Sequence, residues 1–242
     1  MSALPLCGIL VGGQARRLGG RPKGLLAVPD SGEPIVARLV RITSALGLPV
    51  VLVGEAPDYA AALPGLRRLQ DLAPGPGGGP LGGLHALLAA APGDVLMLAC
   101  DLPYASRELI ERLLPPLPPG IDARVPRRVS AGASEGREPP WEPLFARYAP
   151  SVLPVLRGCL GEGVRSLQAL LRRLRVEPLL LPPAEHHVLD DWDEPGDLPA
   201  GVTLGASPSA SAVPVPVAMS GPELDGRAVQ EGGEGQGRAE RR

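Results

Sequence analysis

The chain has 242 residues, 44% of them apolar but only 2% aromatic, with 24 basic and 26 acidic side chains and a net charge of -2. That length supports one sizeable domain whose core must be aliphatic. The charge balance excludes a general nucleic-acid binder, and no apolar run approaches the roughly 20 residues that cross a bilayer.

From Ala200 to Arg242 the composition is dominated by Ala, Ser, Gly, Pro and Glu with no aromatic residue. Such a segment cannot bury enough to offset the entropy of ordering, so 200–242 is expected to be a disordered, low-complexity tail behind one globular unit, 1–199. The run LCGILV near the start has no basic stretch before it and is expected to be neither a secretory signal nor an anchor. Cys7, Cys100 and Cys159 are widely spaced and match no metal-ligand pattern, which reads as buried free thiols in a cytoplasmic protein.

In chain order, Leu6 to Val11 is an apolar run closed by Gly12 and Gly13, the pattern of a strand buried on both faces. Gly24 to Val28 reads as a short extended piece. Pro34 stands where a helix would start, and Ile35, Leu39, Ile42 and Leu46 keep helical spacing up to Gly47. Val50 to Val53 is a second buried strand ending at Gly54, and Pro57 to Leu63 a short helix. Leu66 to Gln70 is a weaker strand delivering Asp71. The turn-rich run LAPGPGGGPLGG then opens a helix from Leu81 to Ala91. Asp94 to Ala99 is a fourth strand with Asp101 just beyond it, and Ser106 caps a helix to Leu114. Further strands are expected at Arg124 to Val129, within Trp141 to Tyr148 and at Val176 to Leu181, with helices at Ser151 to Arg157 and Val164 to Arg175. This half of the chain would supply a lid or acceptor region. The alternation predicts βαβ units, hence an α/β fold with a mostly parallel sheet. Right-handed crossovers bring Gly12, Gly54, Asp71 and Asp101 to one sheet edge, where open α/β sheets bind ligands.

The stretch LCGILVGGQARRLGGRPKGLL, Leu6 to Leu26, carries the chemistry. A strand breaking into a glycine-rich loop presents backbone N–H groups to an anion. Arg16, Arg17, Arg21 and Lys23 within it would repel one another without an anionic partner. Of the 24 basic residues, Lys23 is the one lysine, which points to a need for a compact ammonium rather than a planar guanidinium. Lys23 is followed by Gly24 and Leu25, with no Ser or Thr for magnesium, so this is not a Walker A loop; its paired glycines also exclude GxGxxG.

These residues resemble the LAGGxxxRMGxxKxLL signature of nucleotidyltransferases with a MobA-like fold, most closely the molybdenum cofactor guanylyltransferases. The Asp71 segment, GPLGG (Gly79 to Gly83), ACDLP (Ala99 to Pro103), EPLFARY (Glu142 to Tyr148) and DWDEPGDL (Asp191 to Leu198) are similar too, in family order. The resemblance implies a Rossmann-like three-layer α/β/α sandwich. It implies that Leu10, Val11, Gly12 and Gly13 hold a nucleotide through the main chain, that Lys23 and Arg17 bind its phosphates, and that Gly54 and Asp71 lie near base and ribose. Asp101 matches the family's Mg²⁺ ligand, and Asp191 and Asp193 match acceptor-side positions. Three departures stand out: Val11 and Gly82 replace alanines, and Asp191 and Asp193 replace an Asn-x-Asn in a chain that has no asparagine.

The implied reaction is transfer of GMP from GTP to the phosphate of molybdopterin, releasing pyrophosphate, with molybdoenzymes or their chaperones as further partners and no nucleic acid or membrane. Cytidylyl transfer to the same cofactor, a sugar-phosphate nucleotidyltransferase and a non-catalytic nucleotide-binding protein remain the alternatives. His85, His186 and His187 are given no role.

Overall fold

A computed structural model of the chain describes residues 4–11, 22–28, 31–54, 57–70, 79–129, 139–192 and 195–199. Gly12, Gly13, Arg17, Asp71, Asp193 and the tail 200–242 lie outside the described residues.

The strands are β1 (Leu6–Leu10), β2 (Val50–Val53), β3 (Arg68–Leu69), β4 (Val95–Ala99), β5 (Ala123–Arg128), β6 (Phe145–Tyr148) and β7 (Val176–Leu181). They form one sheet in the order β3-β2-β1-β4-β6-β5-β7. β1 pairs in parallel with both β2 and β4, β2 with β3, and β5 with β7. β6 alone is reversed, running antiparallel to β4 and to β5. The chain belongs to the α/β class, with a mostly parallel sheet between two helical layers.

One layer holds α1 (Ile35–Ala45) and α4 (Arg107–Leu113); the other holds α3 (Gly79–Ala90), α5 (Val152–Gly161) and α6 (Leu167–Leu171). The short α2 (Pro57–Ala62) follows β2. Strand alternation divides the core: Leu96 and Leu98 of β4 pack on the α1 face, Val95 and Met97 on the α3 face. Every residue of β4 is buried, which explains its continuous apolar sequence. α4 starts as expected, with Ser106 Oγ accepting a hydrogen bond from the Leu109 N–H at 3.2 Å.

Beneath the amino-terminal end of β4, two arginines face each other across the β5–β6 pair. Arg147, 3% exposed, donates to Asp94 at 2.8 Å and to the Leu114 and Pro115 carbonyls. Arg124 donates to Glu177 at 2.8 Å and to the Pro115 carbonyl at 2.5 Å. Each guanidinium satisfies several acceptors on different segments at once, which an ammonium with one point of charge would do less well.

Several expectations need correction. Gly24 to Val28 is not extended throughout: Lys23–Leu25 is a 3₁₀ turn closed by Leu25 N–H to the Pro22 carbonyl and Leu26 N–H to the Lys23 carbonyl. Only Ala27, bridged to Pro34, keeps strand-like pairing. β3 is only two residues long, at the sheet's edge, with the Arg67 carbonyl before it still accepting the Leu52 N–H at 2.9 Å. α6 is shorter than expected, since Ser166 is still extended and the chain turns after Leu171. A 3₁₀ segment at Pro183–Leu189 had no periodic signal.

All three cysteines are free and buried, as expected. Burial pushes the Cys7 thiol from 9.0 up to about 12 and raises the Tyr148 hydroxyl likewise. Both groups hold their proton more tightly folded than unfolded. Their contribution is therefore complete below a pH of about 9 and is lost as pH rises from there towards 12. The urea midpoint should stay level to about pH 8.5 and then decline steadily, with a shallower decline in Cys7→Ala; a midpoint independent of alkali contradicts this.

Candidate active site

Chain order reverses in the sheet between β1 and β4, the kind of point at which open α/β sheets form a ligand crevice. The strand ends are held in line there. Val11 N–H donates to the Val53 carbonyl at 2.9 Å, Gly54 N–H to the Leu69 carbonyl at 2.9 Å, and Cys100 N–H to the Leu10 carbonyl at 3.2 Å. Leu10, Val11, Gly54 and Asp101 thus emerge on one edge. Gly54 takes a φ of 111°, a conformation that favours glycine, as the chain turns from β2 towards α2. The Val11 side chain is buried in the α1-face core, so the methyls it adds over alanine are absorbed by packing there.

Lys23 and Asp101, 78 residues apart in sequence, meet at this edge with Nζ and Oδ2 at 3.3 Å. Both side chains are about one fifth exposed, at 20% and 21%. A cation and a carboxylate half-sheltered at a parallel-sheet edge suit a polyanionic ligand and a hard metal ion respectively. Among the described residues no group of three or more His, Cys, Asp or Glu is gathered as a metal cage. Asp101 alone still fits magnesium, which is commonly bound by one or two carboxylates while substrate phosphates and water complete its shell.

The Lys23 turn packs tightly on the strand end. Gly24 N–H donates to Tyr59 Oη at 3.0 Å, and the same hydroxyl lies 3.6 Å from Cys100 Sγ. A Cβ on Gly24 would sit 2.9 Å from the Tyr59 ring and 3.0 Å from Cys100 Cβ. Burial, with the neighbouring Asp101 charge adding to it, pushes the Cys100 thiol up to about 12, and burial raises the Tyr59 hydroxyl too. Thiol and phenol therefore stay neutral near neutral pH. No spacing pattern in the sequence flagged Tyr59 or Cys100.

The carboxyl-terminal half reaches the same edge through Arg128, the last residue of β5. Its Nε donates to Glu142 Oε1 and its Nη1 to Asp190 Oδ1, each at 2.8 Å, and Nη2 donates to the Leu189 carbonyl at 2.9 Å. Burial opposes the charge, but Asp190 and Glu142 outweigh it and hold the guanidinium above its usual range. Arg128 thereby fastens the EPLFARY segment to the DWDEPGDL segment. Beside Asp190, Asp191 is exposed, whereas Trp192 is buried edge-on to Tyr104, ring centroids 6.1 Å apart, three residues after Asp101. His85 lies away from these contacts, on α3, with Nε2 accepting from Arg157 at 3.3 Å. Burial, then Arg157, lowers its pKa.

Gly24→Ala should cost about 1–3 kcal/mol by overpacking against Tyr59 and Cys100. Urea denaturation measures it, and an unchanged midpoint would contradict the close approach.

The model of the MobA-like NTP transferase domain matches residues 7–178. The molybdenum cofactor guanylyltransferase of Pseudomonas putida is 39% identical over 180 residues, covering 73% of this chain and 88% of that protein. A probable molybdenum cofactor guanylyltransferase of Synechococcus elongatus is 34% identical over 184 residues, covering 72% and 86%. Among solved structures, the molybdopterin-guanine dinucleotide biosynthesis protein A of Archaeoglobus fulgidus superposes with a TM-score of 0.58 at 24% identity, covering 79% of this chain and 93% of that one. A CMP:2-keto-3-deoxy-manno-octonic acid synthetase shares the fold at the same TM-score of 0.58 with 14% identity, covering 81% and 95%. On the family match and these relatives, the chain belongs to the MobA-like NTP transferase family.

Proposed function

We propose that the chain transfers GMP from GTP to the phosphate of molybdopterin or its molybdenum-loaded form, giving the guanine dinucleotide cofactor and pyrophosphate. The observation that carries this reading is the Lys23–Asp101 pair at the β1/β4 crevice, within a chain 39% identical to a molybdenum cofactor guanylyltransferase.

In the reaction an oxygen of the acceptor phosphate attacks the α-phosphorus of GTP in line, and the bond to the departing pyrophosphate oxygen breaks. Both reactants are polyanions, so the protein's work is alignment and charge stabilisation. The Lys23 ammonium meets charge developing on the pyrophosphate. The main chain at Leu10, Val11, Gly12 and Gly13 would hold the nucleotide, and Arg17 would add a second cation. Gly54 and Asp71 border base and ribose. Asp101 would hold Mg²⁺, which when bound supplies neutralisation of the α-phosphate and a template for the in-line geometry. The acceptor phosphate is already ionised near neutral pH, so no general base is needed. Asp191 and Asp193 are assigned to the acceptor; Asp191 directly follows Asp190, which Arg128 holds. Among the described residues no helix is long and apolar enough to cross a membrane. We place the reaction in the cytoplasm and pass its product to molybdoenzymes or the chaperones that load them.

The test is pyrophosphate release with purified molybdopterin and each of the four nucleoside triphosphates, with and without Mg²⁺. GTP with Mg²⁺ should be used best; preference for CTP would overturn the guanylyl assignment. Lys23→Ala should lower turnover about 100-fold or more, the scale for losing a donor to transition-state charge. Turnover at the wild-type level would remove Lys23 from the site.

A further inference from the structure

We infer that Tyr59 is a positioning residue for this site, its buried hydroxyl holding the Lys23 turn against the strand end that carries Asp101. The kinetic part of the inference rests on the transfer reaction proposed above; the structural part does not.

Lys23 stands on a 3₁₀ turn of three residues, Lys23–Leu25, whose own two hydrogen bonds close it on itself rather than onto the sheet. Downstream the segment is moored to α1 by Ile35 N–H donating to the Leu26 carbonyl at 3.0 Å. Towards Asp101 the mooring is Tyr59. This side chain is 1% exposed and comes from α2, which follows the end of β2. Its hydroxyl oxygen accepts the Gly24 N–H at 3.0 Å and touches Cys100 Sγ at 3.6 Å. Three segments therefore converge on one oxygen: the turn with Lys23, the strand end with Asp101, and the helix after β2.

Packing gives the contact its rigidity. The missing Cβ of Gly24 leaves just enough room for the turn to lie flat on the phenol ring and Cys100. Without the hydroxyl, the buried Gly24 N–H would be left with the Cys100 sulfur, a weak acceptor, in place of an oxygen. The turn would relieve it by moving outward to water, and Lys23 Nζ would leave its position 3.3 Å from Asp101. A phenylalanine would keep the ring and its packing while deleting the bond.

The experiment compares wild type, Tyr59→Phe and Thr43→Val as full chains. Thr43→Val deletes another buried hydroxyl, which bonds the Leu39 carbonyl at 2.7 Å on α1, and serves as the control for a purely structural loss. Amide exchange read by mass spectrometry should show protection lost at residues 22–26 in Tyr59→Phe while 95–99 stays protected. kcat/KM for GTP should fall about 10-fold in Tyr59→Phe and remain unchanged in Thr43→Val, at comparable urea midpoints. Unchanged exchange at 22–26, loss of protection across the whole sheet, or local loss with unaltered kcat/KM would each overturn the inference. If wild type releases no pyrophosphate, the proposed reaction falls by itself. Exchange, together with an expected about 10-fold weaker Kd for GTP in Tyr59→Phe, then decides the role of Tyr59.

Discussion

The parallel pairing of β1 with β4 sets where everything else must lie. Five register pairs, from Leu6 with Val95 to Leu10 with Ala99, bring two strands that are 89 positions apart into direct contact. Chain order reverses across this pair, the kind of point at which open α/β sheets bind ligands, and the helices that follow the two strands, α1 and α4, share one face of the sheet. The crevice is thus a result of topology, and Lys23 and Asp101 meet in it because one follows β1 and the other follows β4. The sheet supplies the position of Asp101, while Lys23 stands on a turn whose Gly24 N–H donates to Tyr59.

Arginine and lysine divide the cationic work according to geometry. Arg124, Arg128 and Arg147 each link two or more acceptors on different segments, using the fixed fork of the guanidinium. Arg128 is the most consequential of them, since it ties the β5 end to Glu142 and Asp190 and so keeps two segments distant in the chain together. At the crevice a ligand must be able to take over the cation. There the chain has an ammonium, a compact charge on a flexible stem.

The parts legible in the sequence were those with a strong physical signature. β1, β2 and β4 are apolar runs because both their faces are covered, and α1 and α4 announce themselves by period and by Pro34 and Ser106. Asp101 and Lys23 could be singled out because one falls just past a strand end and the other is a lone lysine in a glycine-rich loop. β3 was overextended, for an edge strand with exposed arginine carries little pattern. The 3₁₀ turn at Lys23 and the one at Pro183–Leu189 were invisible because their cause is tertiary: each is short and held by partners distant in the chain. Tyr59 was missed for the same reason. Its hydroxyl matters only once Gly24 and Cys100 are placed beside it, and no local spacing encodes that meeting.

A lone ε-amine has a practical side. With a single lysine in the sequence, one fifth exposed and resting on Asp101, side-chain acylation by amine-selective reagents has one address, and that address is the crevice itself. The rate at which such a reagent marks that side chain, read separately from the terminal amine, gauges what covers Lys23, without mutation, antibody or engineered reporter.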